Sequence, residues 1–302
     1  MTKLNKYSIL IFLSIAWGTT WIAIKYSLEG IPPFLGAAAR FSVATICLLM
    51  YAWFKRINLK MSRNDFGLIL LTSVLLYLLD YGLIYWGEQY INAGTTAVFF
   101  ATFPLFTGVV SNFVFQSEAF QWNKFIGLII GFTGISIVFY DQLLQTQFKG
   151  IVFWASFAII ISALSAAFSL VMVKKYLGHI ETVSLTLHQM IWGVLLLGGI
   201  GFISGESGNI TWNFRSLIAI IYMGSICSAL AFVLYYVLLK QMSAINLSGI
   251  IYITPLVALF FGWLLLNEPI TLRIVVGTVI TFSGIGVSQA REYQRVLKEK
   301  RI

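Results

Sequence analysis

Of the 302 residues, 59% are apolar or aromatic and only 10% are charged, against the roughly 25% charged residues of an ordinary water-soluble domain. That balance excludes a soluble enzyme or binding module over most of the length. The net charge of +9 does not indicate nucleic acid, because the Lys and Arg lie in short loops between apolar runs and form no basic stripe.

Apolar runs long enough to cross about 30 Å of hydrocarbon recur along the chain. In chain order the predicted spans are 7–24, 34–54, 66–86, 94–115 and 123–140, then 150–173, 183–203, 217–239, 245–266 and 270–287. The first, preceded by Lys3 and Lys6, lacks a small-residue cleavage site and is read as an uncleaved helix. Only Asn267-Glu268-Pro269 separates the ninth span from the tenth, and proline in a first helical turn is a start signal. Cys47 and Cys227 lie far apart inside apolar runs, which points to packing and not to a disulfide or metal site.

With ten spans, fifteen Lys and Arg fall on the side that holds both termini. Four (Lys25, Lys149, Arg215 and Arg273) fall on the other, and Arg40 lies within a span. Cytoplasmic loops carry the positive excess, so both termini are expected in the cytoplasm.

Two stretches echo each other. Ala101-Thr102-Phe103-Pro104-Leu105 is followed by Glu118, Gly127 and Gly134-Ile135. Tyr252-Ile253-Thr254-Pro255-Leu256 is followed by Glu268, Gly277 and Gly284-Ile285. The offset is 151 residues at the prolines and 150 from the glutamates onward, and Tyr85 and Tyr236 also stand 151 apart. Five spans per copy is an odd number, so the second copy enters the membrane from the opposite face. The expected fold is therefore all-α and integral to the membrane: ten transmembrane helices as two inverted five-helix repeats, 1–143 and 144–302. Such repeats put a binding site near the midplane and permit alternating access.

Ala16-Trp17-Gly18 in the first span, Arg40 in the second, and the doubled Pro…Glu…Gly…Gly pattern give the chain a resemblance to the drug/metabolite transporter superfamily. Within it, the chain resembles the ten-helix EamA-type family over about residues 7–289. The resemblance implies an inverted five-helix repeat and transport of small metabolites, commonly export of amino acids or related compounds. It fixes no substrate.

Arg40 and Asp80 each lie about six residues inside the outer ends of adjacent antiparallel spans, roughly 9 Å deep, where the two charges can meet. Three readings stand: an ion pair that holds two helices together, a substrate or proton site, or snorkelling toward the interface. The second half has Ala231 and about Gln189 at the equivalent positions. His188, Gln189 and Trp192 cluster in the seventh span, where a histidine either packs or handles protons. Trp17, Trp21, Tyr81, Phe100 and Tyr252 are candidate cavity-lining aromatics, whereas Tyr85 and Trp86 fit an interfacial belt. Pro104 and Pro255 are interior prolines expected to kink their helices and shape the cavity or its gates. The fifth and tenth spans, with Gly127-x-x-x-Gly131 and Gly277-x-x-x-Thr281, read as packing scaffold. Glu118 and Glu268 read as interfacial caps.

The expected function is that of a secondary transporter of small organic metabolites, amino acids or related zwitterionic or neutral compounds, working outward by alternating access. An uncoupled facilitator or channel and a multidrug efflux carrier stand as alternatives. An intramembrane enzyme is disfavoured because such chemistry gathers carboxylates or histidines that this chain scatters. No catalytic residue, metal site or cofactor is expected. The expected partners are the small-molecule substrate, the lipid bilayer of a bacterial or archaeal plasma membrane, and protons as a coupling ion. No nucleic acid is expected, and a monomer is compatible with everything above.

Overall fold

In a computed structural model, residues 3–114, 122–257, 259–260 and 271–299 are described; the expected caps Glu118 and Glu268 and the break at 267–269 lie outside them. Among the described residues the fold is all-helical, with no strand. Seven helices are long and apolar enough to cross a membrane: α1 Asn5–Leu28, α2 Pro33–Lys55, α3 Arg63–Gly87, α4 Ala93–Val114, α6 Ile151–Tyr176, α7 Thr182–Ile203 and α8 Phe214–Gln241. Three shorter apolar helices accompany them: α5 Trp122–Val138, α9 Ala244–Val257 and α10 Leu272–Ser288.

Their starts follow from local chemistry. Pro33 occupies the first turn of α2, where its missing N–H costs nothing. Ser62, Asn92, Glu181, Asn213 and Ser243 accept hydrogen bonds from the first-turn amides of α3, α4, α7, α8 and α9, satisfying donors that the helix cannot. Within the helices, hydroxyls turn back to their own backbone, as Thr72 does to Leu68 O at 2.9 Å and Thr107 to Phe103 O at 2.8 Å. No water is available at that depth to do the same.

The surface inverts the pattern of a soluble protein. Trp53, Phe54, Phe113, Phe202, Ile203 and Phe214 face outward, while Arg40, Asp80, Glu88, Gln189 and many hydroxyls are buried. A lipid solvent rewards that arrangement, and the chain is an integral membrane protein.

Three interruptions matter for the site. Both α3 and α8 pass through an eight-residue π-helical segment, Val74–Tyr81 and Met223–Leu230, at an offset of 149 residues. Such widened turns often mark functional positions. The helical course of α4 breaks at Ala101–Thr102, just ahead of Pro104. That of α9 narrows to a 3₁₀ turn at Gly249–Tyr252, just ahead of Pro255. The two prolines thus begin new helical segments and do more than bend continuous ones.

Helices α5 and α10 lie backbone to backbone. A Cβ on Gly284 would sit 2.3 Å from Gly131 N, and one on Gly134 would sit 2.5 Å from Thr281 N. Only residues without a side chain permit that approach.

Candidate functional site

A cavity of ≈ 80 Å³ lies between the two halves of the chain, with room for several water-sized groups. Helix α1 gives it Trp17, Thr20, Trp21 and Ile24, the i, i+3, i+4, i+7 face of a helix. Helix α3 gives Leu76, Asp80, Tyr81 and Ile84, and α4 gives Phe100 and Phe103, whose rings stack at 5.6 Å.

The remaining lining comes from α6, α8 and α9, at near-constant offsets from the first-half lining. Trp17 has its counterpart in Ala166, Thr20 in Ser169 and Trp21 in Leu170, each 149 residues on. Tyr81 is matched by Phe232, Ile84 by Tyr235, Phe100 by Ile251 and Phe103 by Thr254, each 151 residues on. Helices α5 and α10 contribute no lining residue among those described.

The polar atoms are few and poorly served. Asp80 is buried, faced by Ser162 of α6, and its Oδ1 has no hydrogen-bond partner. The indole N–H of Trp21 also has none, whereas that of Trp17 donates to Cys227 O at 3.1 Å. Two lining residues thus hold an unused acceptor and an unused donor in a largely apolar, aromatic-rich wall.

Arg40 does not pair with Asp80. No ion pair within 4.0 Å joins them, and this corrects the expectation that the two charges meet. The guanidinium turns instead toward the second half of the chain, where Nε donates to Ser228 Oγ at 2.8 Å. It stacks on the Tyr81 ring at 4.8 Å and lies 3.8 Å from Met223 Sδ, while Nη2 has no partner. The physical reason is rotational: the π-helical segment of α8 packs against α2 at Gly224 and offers its hydroxyl there, and Tyr81 offers its π-face. Arg40 is fully buried and lies behind Tyr81, outside the cavity wall.

The other sequence candidates divide. Trp17, Trp21, Asp80, Tyr81 and Phe100 line the cavity; Arg40, Pro104, His188, Gln189, Trp192, Tyr252 and Pro255 do not. His188 Nδ1 donates to Ser184 O of its own helix at 2.8 Å, and Trp192 packs edge-on against Phe66. Tyr252 sends its hydroxyl to Leu128 O at 2.8 Å and its ring against Gly131, which ties α9 to α5. Tyr85, expected at an interface, is fully buried beside Met223. Gln189 accepts from Tyr236 OH at 2.7 Å and donates to Thr72 Oγ1 at 2.8 Å. It thereby fixes Tyr236, which borders both the central cavity and a second one of ≈ 190 Å³ lined by Lys174, Gly178, Leu239 and Lys240.

The sequence reading missed Phe232, Ser169 and Thr254. Carrying Tyr81 forward by 151 residues would have found Phe232, whereas Ser169 and Thr254 correspond to Thr20 and Phe103, which the sequence did not single out. It also missed Glu88, for which no periodicity signals burial.

Comparison with known proteins follows the same division into halves. The EamA-like transporter family matches twice, at residues 5–140 and again at 153–288. The chain belongs to this family. It is 26% identical over 276 residues to the uncharacterized transporter YoaV of Bacillus subtilis (strain 168), covering 91% of this chain and 94% of the relative. It is 27% identical to an uncharacterized transporter of Archaeoglobus fulgidus, covering 93% and 98%, and 23% identical to protein PagO of Salmonella typhimurium, covering 85% and 84%. A solved crystal structure superposes with a TM-score of 0.81 over 97% of this chain and 99% of its own, at 13% identity. That likeness shows the fold alone.

Proposed function

We propose that this transporter is a secondary exporter of small amino-bearing metabolites, amino acids or close zwitterionic relatives, by alternating access. Ten spans form two inverted five-helix repeats, 1–143 and 144–302, with both termini in the cytoplasm and the plasma membrane as the site of action. The repeat reading is supported by the doubled family match, the π-helical segments 149 residues apart, and cavity residues that fall in pairs 149 or 151 apart.

The observation that carries the substrate class is the pair of unused polar atoms on lining residues, Asp80 Oδ1 and Trp21 Nε1. A carboxylate accepts from an ammonium group, and an indole N–H donates to a carboxylate or carbonyl oxygen. A zwitterion supplies both, and the surrounding aromatic faces suit its cationic end. Arg40, behind Tyr81, is read as a positioning residue that orients that ring. Asp80 is also the group in the wall able to exchange a proton for substrate.

Counterflow into proteoliposomes tests this reading. Labelled amino acids should accumulate against preloaded unlabelled ones, and Trp21→Phe should weaken uptake at low substrate. A panel in which no zwitterion exchanges would refute it. A second reading, efflux of bulkier organic cations, is favoured by the lone carboxylate among aromatics. Accumulation of such cations without amino acids would select it.

A further inference from the structure

At one end of the bundle, Lys25 of α1 reaches across to the end of α3. Its ammonium donates to the backbone carbonyls of Glu88 and, at 2.6 Å, Ile91. Carbonyls at a helix C-terminus carry the negative end of the dipole and attract a cation. The second half repeats the contact: Lys174 of α6 donates to Leu239 O of α8 at 2.5 Å. Lysine and acceptor stand 149 and 151 residues on from their counterparts. In the inverted arrangement these two latches lie at opposite membrane faces. Each ties the first helix of its repeat to the third, closing one end of the cavity.

The two latches differ in one group. Glu88 stands where the second half has Leu239. Its side chain is fully buried, and both carboxylate oxygens lack a hydrogen-bond partner. The groups that face it are Lys25 from α1, Arg40 from α2 and Tyr85 on its own helix. From α6, Ala155 and Ile159 pack against the neighbouring Gly87 and bring no charge. Lys25 is committed to backbone carbonyls, and Arg40 to Ser228 and the Tyr81 ring. Glu88 caps the C-terminus of α3, four residues after Ile84 and eight after Asp80, both of which line the cavity. A carboxylate about one turn beyond the cavity lining is thus enclosed with no donor to hold its charge.

We propose that Glu88 is a proton-binding site of the outer gate, occupied when the gate is closed and emptied when the gate opens. This rests on the transporter reading and its orientation. An enclosed carboxyl without donors is most stable neutral; burial raises its pKa above the usual carboxylate range, against the opposing pull of Lys25 and Arg40. Opening the outer end hydrates it and restores the ordinary range, so opening releases a proton. External acid therefore favours the closed outer gate and neutral pH favours opening. The inner latch, with Leu239, has no such group, so the pH response belongs to one face only.

The test reads gate opening without transport. Thr20→Cys, a cavity position, is introduced into full-length chain carrying Cys47→Ala and Cys227→Ala. In right-side-out membrane vesicles a membrane-impermeant thiol reagent is applied, with rates normalised to Gly208→Cys on an exposed loop. Labelling should fall by about fivefold or more between pH 7.5 and 5.5, within the tenfold per unit that a single proton allows. Glu88→Gln, neutral at every pH, should label slowly at both. Lys25→Met, which weakens the latch but keeps Glu88, should label faster than the parent at pH 7.5 and still slow in acid, and it serves where Glu88→Gln fails to fold. A pH-insensitive parent, a Glu88→Gln variant with the parent's pH response, or a Lys25→Met variant that has lost the acid response would each overturn the inference. Expected labelling in a chain that exchanges no amino acid would unseat the substrate reading and leave the gate standing.

Discussion

The glycine seam between α5 and α10 allows a sharp numerical test of the scaffold that holds the moving helices. Gly284 and Gly286 sit two residues apart on α10, but a Cβ on Gly284 would lie 2.3 Å from Gly131 N and 2.5 Å from Gly127 O, whereas one on Gly286 meets nothing within 4 Å. Both clashing atoms belong to backbone, so no rotamer can relieve them. Restoring an ordinary contact near 3.4 Å requires the helices to separate by about 1 Å, which also loosens Gly127, Gly131, Gly134 and Gly277 along the seam. Overpacking of this kind costs about 2–3 kcal/mol, and helix propensity returns about 1 kcal/mol for replacing glycine by alanine. Gly284→Ala is therefore expected to destabilise by about 1–2 kcal/mol and Gly286→Ala to be neutral or stabilising by up to about 1 kcal/mol. Reversible unfolding in mixed micelles, followed by tryptophan fluorescence, measures both. If Gly284→Ala proves as stable as Gly286→Ala, the close approach of the two backbones is wrong.

Reporter fusions after Lys60 and after Ile302 should report cytoplasm, and one at Gly208 the outer side; a cytoplasmic Gly208 would remove the orientation and the repeat with it. Arg40→Met should lower stability by about 2–3 kcal/mol, through the lost Ser228 bond and ring contact. Adding Asp80→Asn should not restore it, because the two are unpaired, and recovery in the double variant would reinstate the ion pair. Asp80→Asn alone should fold normally, as melting temperature reports, and should abolish the pH dependence of exchange. Gln189→Leu should free the Tyr236 hydroxyl, which borders both cavities, and raise thiol access to Thr20→Cys from the cytoplasmic side by about threefold or more, since one neutral hydrogen bond is worth about 1 kcal/mol; unchanged access would show that Tyr236 does not separate the two cavities.

Much of this arrangement is legible in the sequence, for physical reasons. Charge depletion and run length announce the bilayer as solvent, and the ordered set Pro104…Gly127…Gly134 against Pro255…Gly277…Gly284 announces the two similar halves that the family matches separately. Cavity aromatics on the first and third spans follow from helical spacing, as Trp17 and Trp21 or Tyr81 show. What depends on helix rotation is not legible. Arg40 and Asp80 share a depth, yet a depth says nothing of azimuth, and the guanidinium turns away to Ser228. Tyr252 shares its depth with the cavity and spends its hydroxyl on Leu128. The π-helical segments at 74–81 and 223–230 carry no proline or glycine pair to announce them both. They rotate everything beyond them, and this explains why Tyr85 is enclosed where a regular helix count puts it at an interface.

The two halves share geometry and divide the chemistry. Asp80 faces Ala231 across the repeat and Glu88 faces Leu239, while Arg40 corresponds to about Gln189. All three ionisable groups lie in the first half, and the second half answers with hydroxyls and amides: Ser228 for Arg40, Ser162 near Asp80, Gln189 for Tyr236. A device needed only to hold helices together would serve both repeats equally and would persist in both. The proposed alternating access requires matched latches, and Lys25 and Lys174 make matching contacts in the two halves. Sensing of protons requires the opposite, a group present at one face and missing from the other, since a symmetric pair would respond to acid on either side and set no direction. Under the proposed gating, the carboxylates would have to sit as Asp80 and Glu88 do, one in the cavity wall and one at the adjoining latch, with symmetry supplying the motion and its local breaking the sense of transport.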